Sequence, residues 1–343
     1  MKKVIKFLVV CFLIVPVYGK SYSRFYIGNK SGLIDENRNI VFEAERGYVF
    51  CLGKYFVKEL YGEEKSVSIY DNKMKEILKL DNCSYIKNYS ENELIIKSDR
   101  NKYEILNLKT MKLRNYEKEI VNYIFETYVN GKSVVLKYLD KYRRYGFAIE
   151  NEKGNEIVSD IKNTDSRYSE GLIPVLFFNG ESGFLDENGK MAIKVPLYDD
   201  FRLGGPKIST SLNYTFFDGV AFIQTERDKW FLLDKKGNKK EIPVEFCIDA
   251  DYIFMENKAP ITEYNESVKY LIYQLYYSNG VTKVQGRNGK FGYINKNFEL
   301  VIPCIFDSAS SFGDKYAAVI HEGKDAVIDL KGNVYYCSDF VKR

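Results

Sequence analysis

One short phrase keeps returning along this chain, and its spacing limits the possible folds more than any other feature. An Asp or Asn opens a D-x-x-G-like element at Asp35, Asp71, Asn107, Asn151, Asp186, Asp234, Asn295 and Asp329. The first two intervals are both 36 residues and the others run from 34 to 61. Three positions after the opening residue stand Gly154, Gly189, Gly237 and Gly332, with Arg38, Met74, Thr110 and Phe298 in the other copies. Fifteen residues before it stand Gly171, Gly219 and Gly280, with Asn92 and Asp314 in two more copies. A shared offset in five copies identifies a repeat protein of eight units.

Each unit reads as a small sheet. The upstream Gly permits a tight turn, and the stretch after it alternates apolar with other residues, as in "VAFIQ" (220–224) and "VTKVQ" (281–285). A second strand follows, such as "WFLLD" or "FGYIN". The Asp or Asn then starts a turn, its short side chain bonding the backbone two residues on, while the Gly takes a left-handed conformation. That gives the Asp a structural task, not a catalytic one. A third strand follows, and in the first half "GYVFCL", "CSYIKN" and "VNYIFETY" bridge one unit to the next as a fourth. Such a sheet cannot bury both its faces alone, so its neighbours must stack on it. The expected fold is therefore all-β, eight units most simply closed into a β-propeller. The alternative is an elongated β-solenoid with capped ends, but "SRFYIG" (23–28) and "VYYCSDF" (334–340) are strand-like, not polar caps.

The copies Lys290-Phe291-Gly292-Tyr293-Ile294-Asn295 and Lys229-Trp230-Phe231, each after a "G-V" turn, carry a family resemblance. The pattern K-W/F-G-Y-I-D-x-x-G-x-x-V-I-P resembles the WG-repeat family of bacterial proteins. No copy keeps the Trp-Gly pair intact. The match is clear over 168–336 and degenerate over 22–160. The resemblance implies an all-β interaction module, often exported, with no shared enzymatic activity.

The start of the chain, "MKKVIKFLVVCFLIVPVYGK", has the layout of a secretory signal peptide. Lys2, Lys3 and Lys6 precede an apolar run from Phe7 to Val17, and Val17 and Gly19 occupy the −3 and −1 places of a cleavage site. A membrane span would need about 20 apolar residues. A lipid-modified Cys11 is disfavoured because Val10 is not small. The expected organisation is a signal peptide at 1–19 and one β-repeat domain at 20–343, degenerate over 20–165 and clearer over 166–343. The mature chain is expected to be exported, to the periplasm, cell surface or medium, with no membrane span. Cleavage removes three lysines and no acid, so the net charge falls from +4 to +1. That leaves no footprint for nucleic acid.

Chemistry is sparse. Cys51, Cys83, Cys247, Cys304 and Cys337 form no C-x-x-C pair, so neither zinc nor a redox centre is suggested, and they read as small buried hydrophobes. His321 is the one histidine, and no G-x-S-x-G accompanies it, so a hydrolase triad is not expected. "DENG" (186–189) lacks the alternating acids of a calcium loop. No cofactor or metal is expected. An enzyme reading survives only as a polysaccharide-active propeller using two unassigned carboxylates.

Tyrosine is conspicuous, at 29 copies beside 23 Phe. Most belong to strand packing, but some fall in loops that lengthen a unit: 139–146, 197–219 and 256–280. Insertions in stacked repeats tend to gather on one face, often the binding face. The candidate contact residues are therefore Tyr142, Arg143, Arg144, Tyr145, Phe201, Arg202, Tyr214 and Tyr264. The expected partner is an envelope or host protein, or a glycan, held without catalysis.

Overall fold

The structure is a computed structural model that describes residues 21–62, 65–90, 92–98, 102–116, 131–165, 168–198, 214–226, 229–248, 266–272 and 274–340. Among them are strands and two single 3₁₀ turns, with no α-helix. The strands form seven antiparallel sheets, apart from one short parallel pairing at Phe246–Cys247. The fold is a β-propeller, and its units are numbered here 1 to 8 by their Asp or Asn turns.

Eight units occupy seven sheets because units 4 and 5 share one. The strand Glu156–Thr164 pairs with Arg144–Asn151 through its first part and with Ile173–Phe177 through its last. It is thus the outer strand of unit 4 and the inner strand of unit 5. Asp160, at φ 59°, turns the chain between the two roles. Elsewhere the same passage is broken into separate strands, as at Leu300–Phe306 and Ser308–Ala309. The expectation of eight separate sheets is corrected to that extent.

The core lies between units. In unit 1, Leu33 packs with Phe42, Val49 and Phe56 toward unit 2, while its neighbour Ile34 packs with Tyr316 and Val327 toward unit 8. In unit 7, Tyr293 faces unit 8 and Ile294 faces unit 6. Successive side chains of a strand point to opposite faces, so middle strands are buried on both. Outer strands have only one neighbour, and Lys112–Asn115 and Lys239–Glu241 are exposed throughout. Between units 3 and 4 the chain passes through 117–130, outside the described residues.

The two ends of the chain meet, which rules out the elongated solenoid. Phe25 and Ile34 share a core cluster with Tyr316, Val327 and Cys337. The Tyr22 N–H donates to the Asp314 carboxylate (3.2 Å) and the Gly28 N–H to Asp325 (2.9 Å). Arg38 donates to the Tyr316 hydroxyl and lies over the Tyr335 ring, 4.1 Å from its centroid.

The repeated turn does what its residue types require. The side-chain oxygen of Asp35 accepts from the N–H groups of Asn37 (2.9 Å) and Asn39 (3.0 Å). The same pair recurs at Asp71, Asn151, Asp186, Asp234, Asn295 and Asp329, two and four residues on. Asn107 bonds two and three residues on. Gly154, Gly189, Gly237 and Gly332 sit at φ 77–87°, and Arg38, Met74 and Phe298 adopt the same region at 65–68° despite their side chains. Buried Asp35 offers the clearest test, since its carboxylate also takes the Asn39 amide. Asp35→Ala is expected to lower unfolding stability by about 2 kcal/mol, while Asp35→Asn keeps the acceptor and costs less. Equal losses for the two variants in denaturant titration would remove the turn's claimed role.

Candidate functional site

The upstream turns link the units at one end of the ring. Glu170-Gly171, Asp218-Gly219 and Asn279-Gly280 are two-residue turns with positive φ at both positions, the type I′ geometry that suits a twisted hairpin. The Glu170 carboxylate accepts from the Gly219 N–H (3.1 Å), and Asp218 from the Gly280 N–H (2.6 Å). Asn279 donates to the Gly313 carbonyl, and Asp314 accepts from Tyr22 at the ring's closure. This belt runs from unit 5 through to unit 1 and uses its polar side chains internally. It makes a frame, not a site.

The opposite end carries the loop that joins Lys132–Leu139 to Arg144–Asn151 in unit 4. Two eight-residue strands, paired along their full length, hold it. At its tip Asp140–Tyr142 forms a 3₁₀ turn closed by Arg143 in the left-handed region, φ 50°, whose N–H bonds the Asp140 carbonyl. The Tyr142 ring stacks on Phe178 of unit 5 with centroids 4.3 Å apart. Lys141 lies over Tyr142 (5.0 Å) and Arg144 over Phe178 (5.1 Å). The result is a column of the Tyr142 and Phe178 rings, with Lys141 and Arg144 each set against one of them. Gly146 lets the loop approach this closely, since a Cβ there would meet the Ile161 carbonyl and the Phe178 ring, each at 2.8 Å.

Beside the column, Tyr138 and Tyr145 pack edge to face at 5.4 Å, and both stay more than half exposed, at 54% and 55%. Lys141 and the Tyr142 hydroxyl reach Asp160 at 3.5 and 3.4 Å, tying the loop to the bend between units. Hydrogen bonding to Tyr142, together with the nearby Asp160 charge, raises the Lys141 ammonium above its ordinary pKa, so it stays charged. Arg143 and Arg144 are exposed, with no carboxylate partner among the described residues.

Of the residues expected at a contact surface, Tyr142, Arg143, Arg144 and Tyr145 are together at this end. Tyr214 is not at the surface. It is 4% exposed in the core between units 5 and 6, its hydroxyl donating to the Tyr198 carbonyl (2.7 Å) and its ring set edge-on to Trp230. Its segment leaves unit 5 at Tyr198, whose N–H donates to the Gln224 carbonyl (2.8 Å), and rejoins unit 6 at the Asp218-Gly219 turn, with 199–213 outside the described residues. Phe201, Arg202 and Tyr264 lie outside the described residues, as does 1–19. Phe178 and Tyr138 were missed, although Phe178 occupies in unit 5 the same interstrand loop that Tyr142 occupies in unit 4.

Other recesses offer less. Glu43, Glu45 and Glu59 line one between units 1 and 2, but it has no volume for a water molecule. A cleft of about 360 Å³ opens between units 1 and 8, lined in part by Arg38, Tyr335 and Asp339, with Arg38 already bonded within the protein. His321 shares a hydrogen bond with the Tyr336 hydroxyl (3.0 Å). Cys51, Cys304 and Cys337 form no disulfide among the described residues, and burial raises Cys51 and Cys337 to about 12 and Cys304 to about 11. Among the described residues no cluster of His, Cys, Asp and Glu could hold a metal, and no helix is long and apolar enough to cross a membrane.

Comparison with known proteins adds the following. No curated protein sequence matches the chain. Among solved structures it is similar to Citrobacter koseri AztD (11% identity, 92% of this chain and 94% of that one, TM-score 0.45). It is also similar to the β-propeller domain of the Trilobed protease from Pyrococcus furiosus (11%, 94% and 99%, TM-score 0.41). A structure titled as the eukaryotic initiation factor matches at 11% identity over 92% and 95%, with TM-score 0.44. The model of the WG containing repeat matches residues 291–324. That window starts at the strand Phe291–Asn295 of unit 7 and ends where the strand Lys324–Ile328 of unit 8 begins, one repeat read across the seam between two sheets. The resemblance to the WG-repeat family is thereby shown at these residues.

Proposed function

We propose that the chain is an exported, non-catalytic binding module that holds a protein partner against the end of units 4 and 5. One observation carries this reading: Tyr138, Arg143, Arg144 and Tyr145 are exposed together around a loop mounted on long paired strands and fastened to unit 5. Tyr and Arg are the residue types that anchor protein interfaces, and a loop held rigid loses little entropy on binding. A glycan is the weaker candidate, because sugar stacking needs a free ring face. Here Tyr142 and Phe178 cover each other, with a cation set against each ring. The polysaccharide-active reading finds no support in the Glu43–Glu45–Glu59 recess, which is too small for a sugar.

The test uses the mature chain, a Tyr138→Ser/Tyr145→Ser variant, and a Val244→Ser control that is exposed elsewhere. Each is immobilised and exposed to envelope extract from its own cell. A partner kept by wild type and control should fall about tenfold on the double variant, the scale of one interface hot spot. Equal recovery on all three would refute the assignment. For export, the protein recovered from the envelope fraction should begin near Lys20 by mass.

A further inference from the structure

The Arg143 backbone and its guanidinium together point to the chemistry of the partner. Arg143 sits at φ 50°, where the left-handed region penalises a side chain and Gly or Asn is the usual occupant. No side-chain contact among the described residues explains an arginine there. Its neighbours on the loop are engaged: Lys141 with Asp160 and Tyr142, Arg144 with Phe178, and Lys137 with Glu150 and Glu156. The Arg143 side chain is exposed and has no partner among the described residues. A residue whose backbone closes the turn while its side chain stays exposed and unengaged is a pointer to an external ligand.

Resting on the binding reading above, we infer that the partner presents a carboxylate-rich protein segment, clamped by Arg143. The planar guanidinium fork matches a carboxylate bidentately, which an ammonium cannot do. Arg144, pinned over the Phe178 ring, supplies a second positive charge beside it, and Tyr138 and Tyr145 offer apolar edges for the residues between two acids. Asp140, exposed on the same turn, is an opposing charge beside Arg143 and weakens the attraction, whereas Asp160 is engaged by Lys141 and Tyr142.

The experiment measures fluorescence anisotropy with a labelled peptide alternating Glu and Tyr, against its counterpart with Gln for Glu, at low ionic strength. Wild type should bind the Glu peptide about tenfold more tightly than the Gln peptide. Arg143→Gly, which relieves the strained backbone and so preserves the fold, should abolish that preference. Arg143→Lys should restore only part of it, and Asp140→Asn should tighten binding about threefold by removing the opposing charge. Equal affinity for both peptides, a preference that survives in Arg143→Gly, or no Glu-peptide binding up to roughly millimolar concentration would each overturn the inference. If the double tyrosine variant still loses its partner in the capture experiment, the docking surface stands and only the acidic partner falls.

Discussion

Replacing Gly292 by Ala should cost about 3 kcal/mol of stability, more than the loss of a turn glycine. Gly292 is buried in an extended strand, so its role is not conformational freedom. An added Cβ would lie 2.5 Å from the Ile302 carbonyl and 2.8 Å from the Cys304 nitrogen, both backbone atoms of the outer strand. The outer strand bulges at this point, where the register slips between Phe291 and Tyr293, and drives its carbonyl into the space a side chain would fill. The same arrangement occurs three residues before the Asp of two other units. Gly32 faces the Phe42 carbonyl at 2.7 Å, and Gly183 faces that of Ile193. This is the physical reason for a glycine in the strand that leads into the repeated turn. Gly289 is the right control: it sits at φ 75° with open space around it, so Gly289→Ala should cost about 1 kcal/mol from backbone strain alone. Denaturant unfolding of the two variants decides the matter. If Gly292→Ala is no worse than Gly289→Ala, the close approach is not what fixes that position.

Much of this architecture was legible because the repeat's signals are local. An Asx turn and a left-handed glycine depend on a few consecutive residues, so their spacing survives in the sequence even where Arg38, Met74 or Phe298 replaces the glycine. Phe298 tolerates the strain because its ring is buried between units 6 and 7, a contact no spacing rule reveals. The sheet count was not legible. Whether a chain breaks between an outer strand and the next inner one, or runs through as Glu156–Thr164 does, turns on one residue's backbone at Asp160. The candidate contact surface was half legible. The sequence showed that 139–146 was long and rich in Tyr and Arg, but a loop tyrosine such as Tyr214 can fold back into the core when a carbonyl waits for its hydroxyl. The column with Phe178 needed the neighbouring unit in place.

The Glu59→Gln variant should be about 3 kcal/mol more stable than wild type at pH 8 and close to it at pH 5. Glu59 lies on Tyr55–Leu60 at 4% exposure, with no ion pair among the described residues. Its carboxylate accepts from the Tyr61 hydroxyl (2.9 Å) and from the Tyr85 N–H (3.0 Å) of unit 3. Burial raises its pKa to about 7 from the ordinary 4.5, only partly offset by those two hydrogen bonds and by the charge of Lys65. The folded protein therefore holds this proton more tightly than the unfolded chain does. The stabilisation is complete below about pH 4.5, declines as pH rises, and is lost once pH passes about 7. Glutamine mimics the protonated form: its oxygen can accept the Tyr85 N–H while its amide donates to the Tyr61 oxygen. Wild-type stability should thus fall between pH 5 and pH 8 relative to the variant, with the two curves converging at the acid end. Exposed carboxylates whose pKa is lowered, such as Asp307 beside Lys290, act equally in both proteins and cancel in the difference. Parallel curves across that range would mean that Glu59 is charged and solvated in the folded ring. The close packing of units 2 and 3 around it would then be wrong.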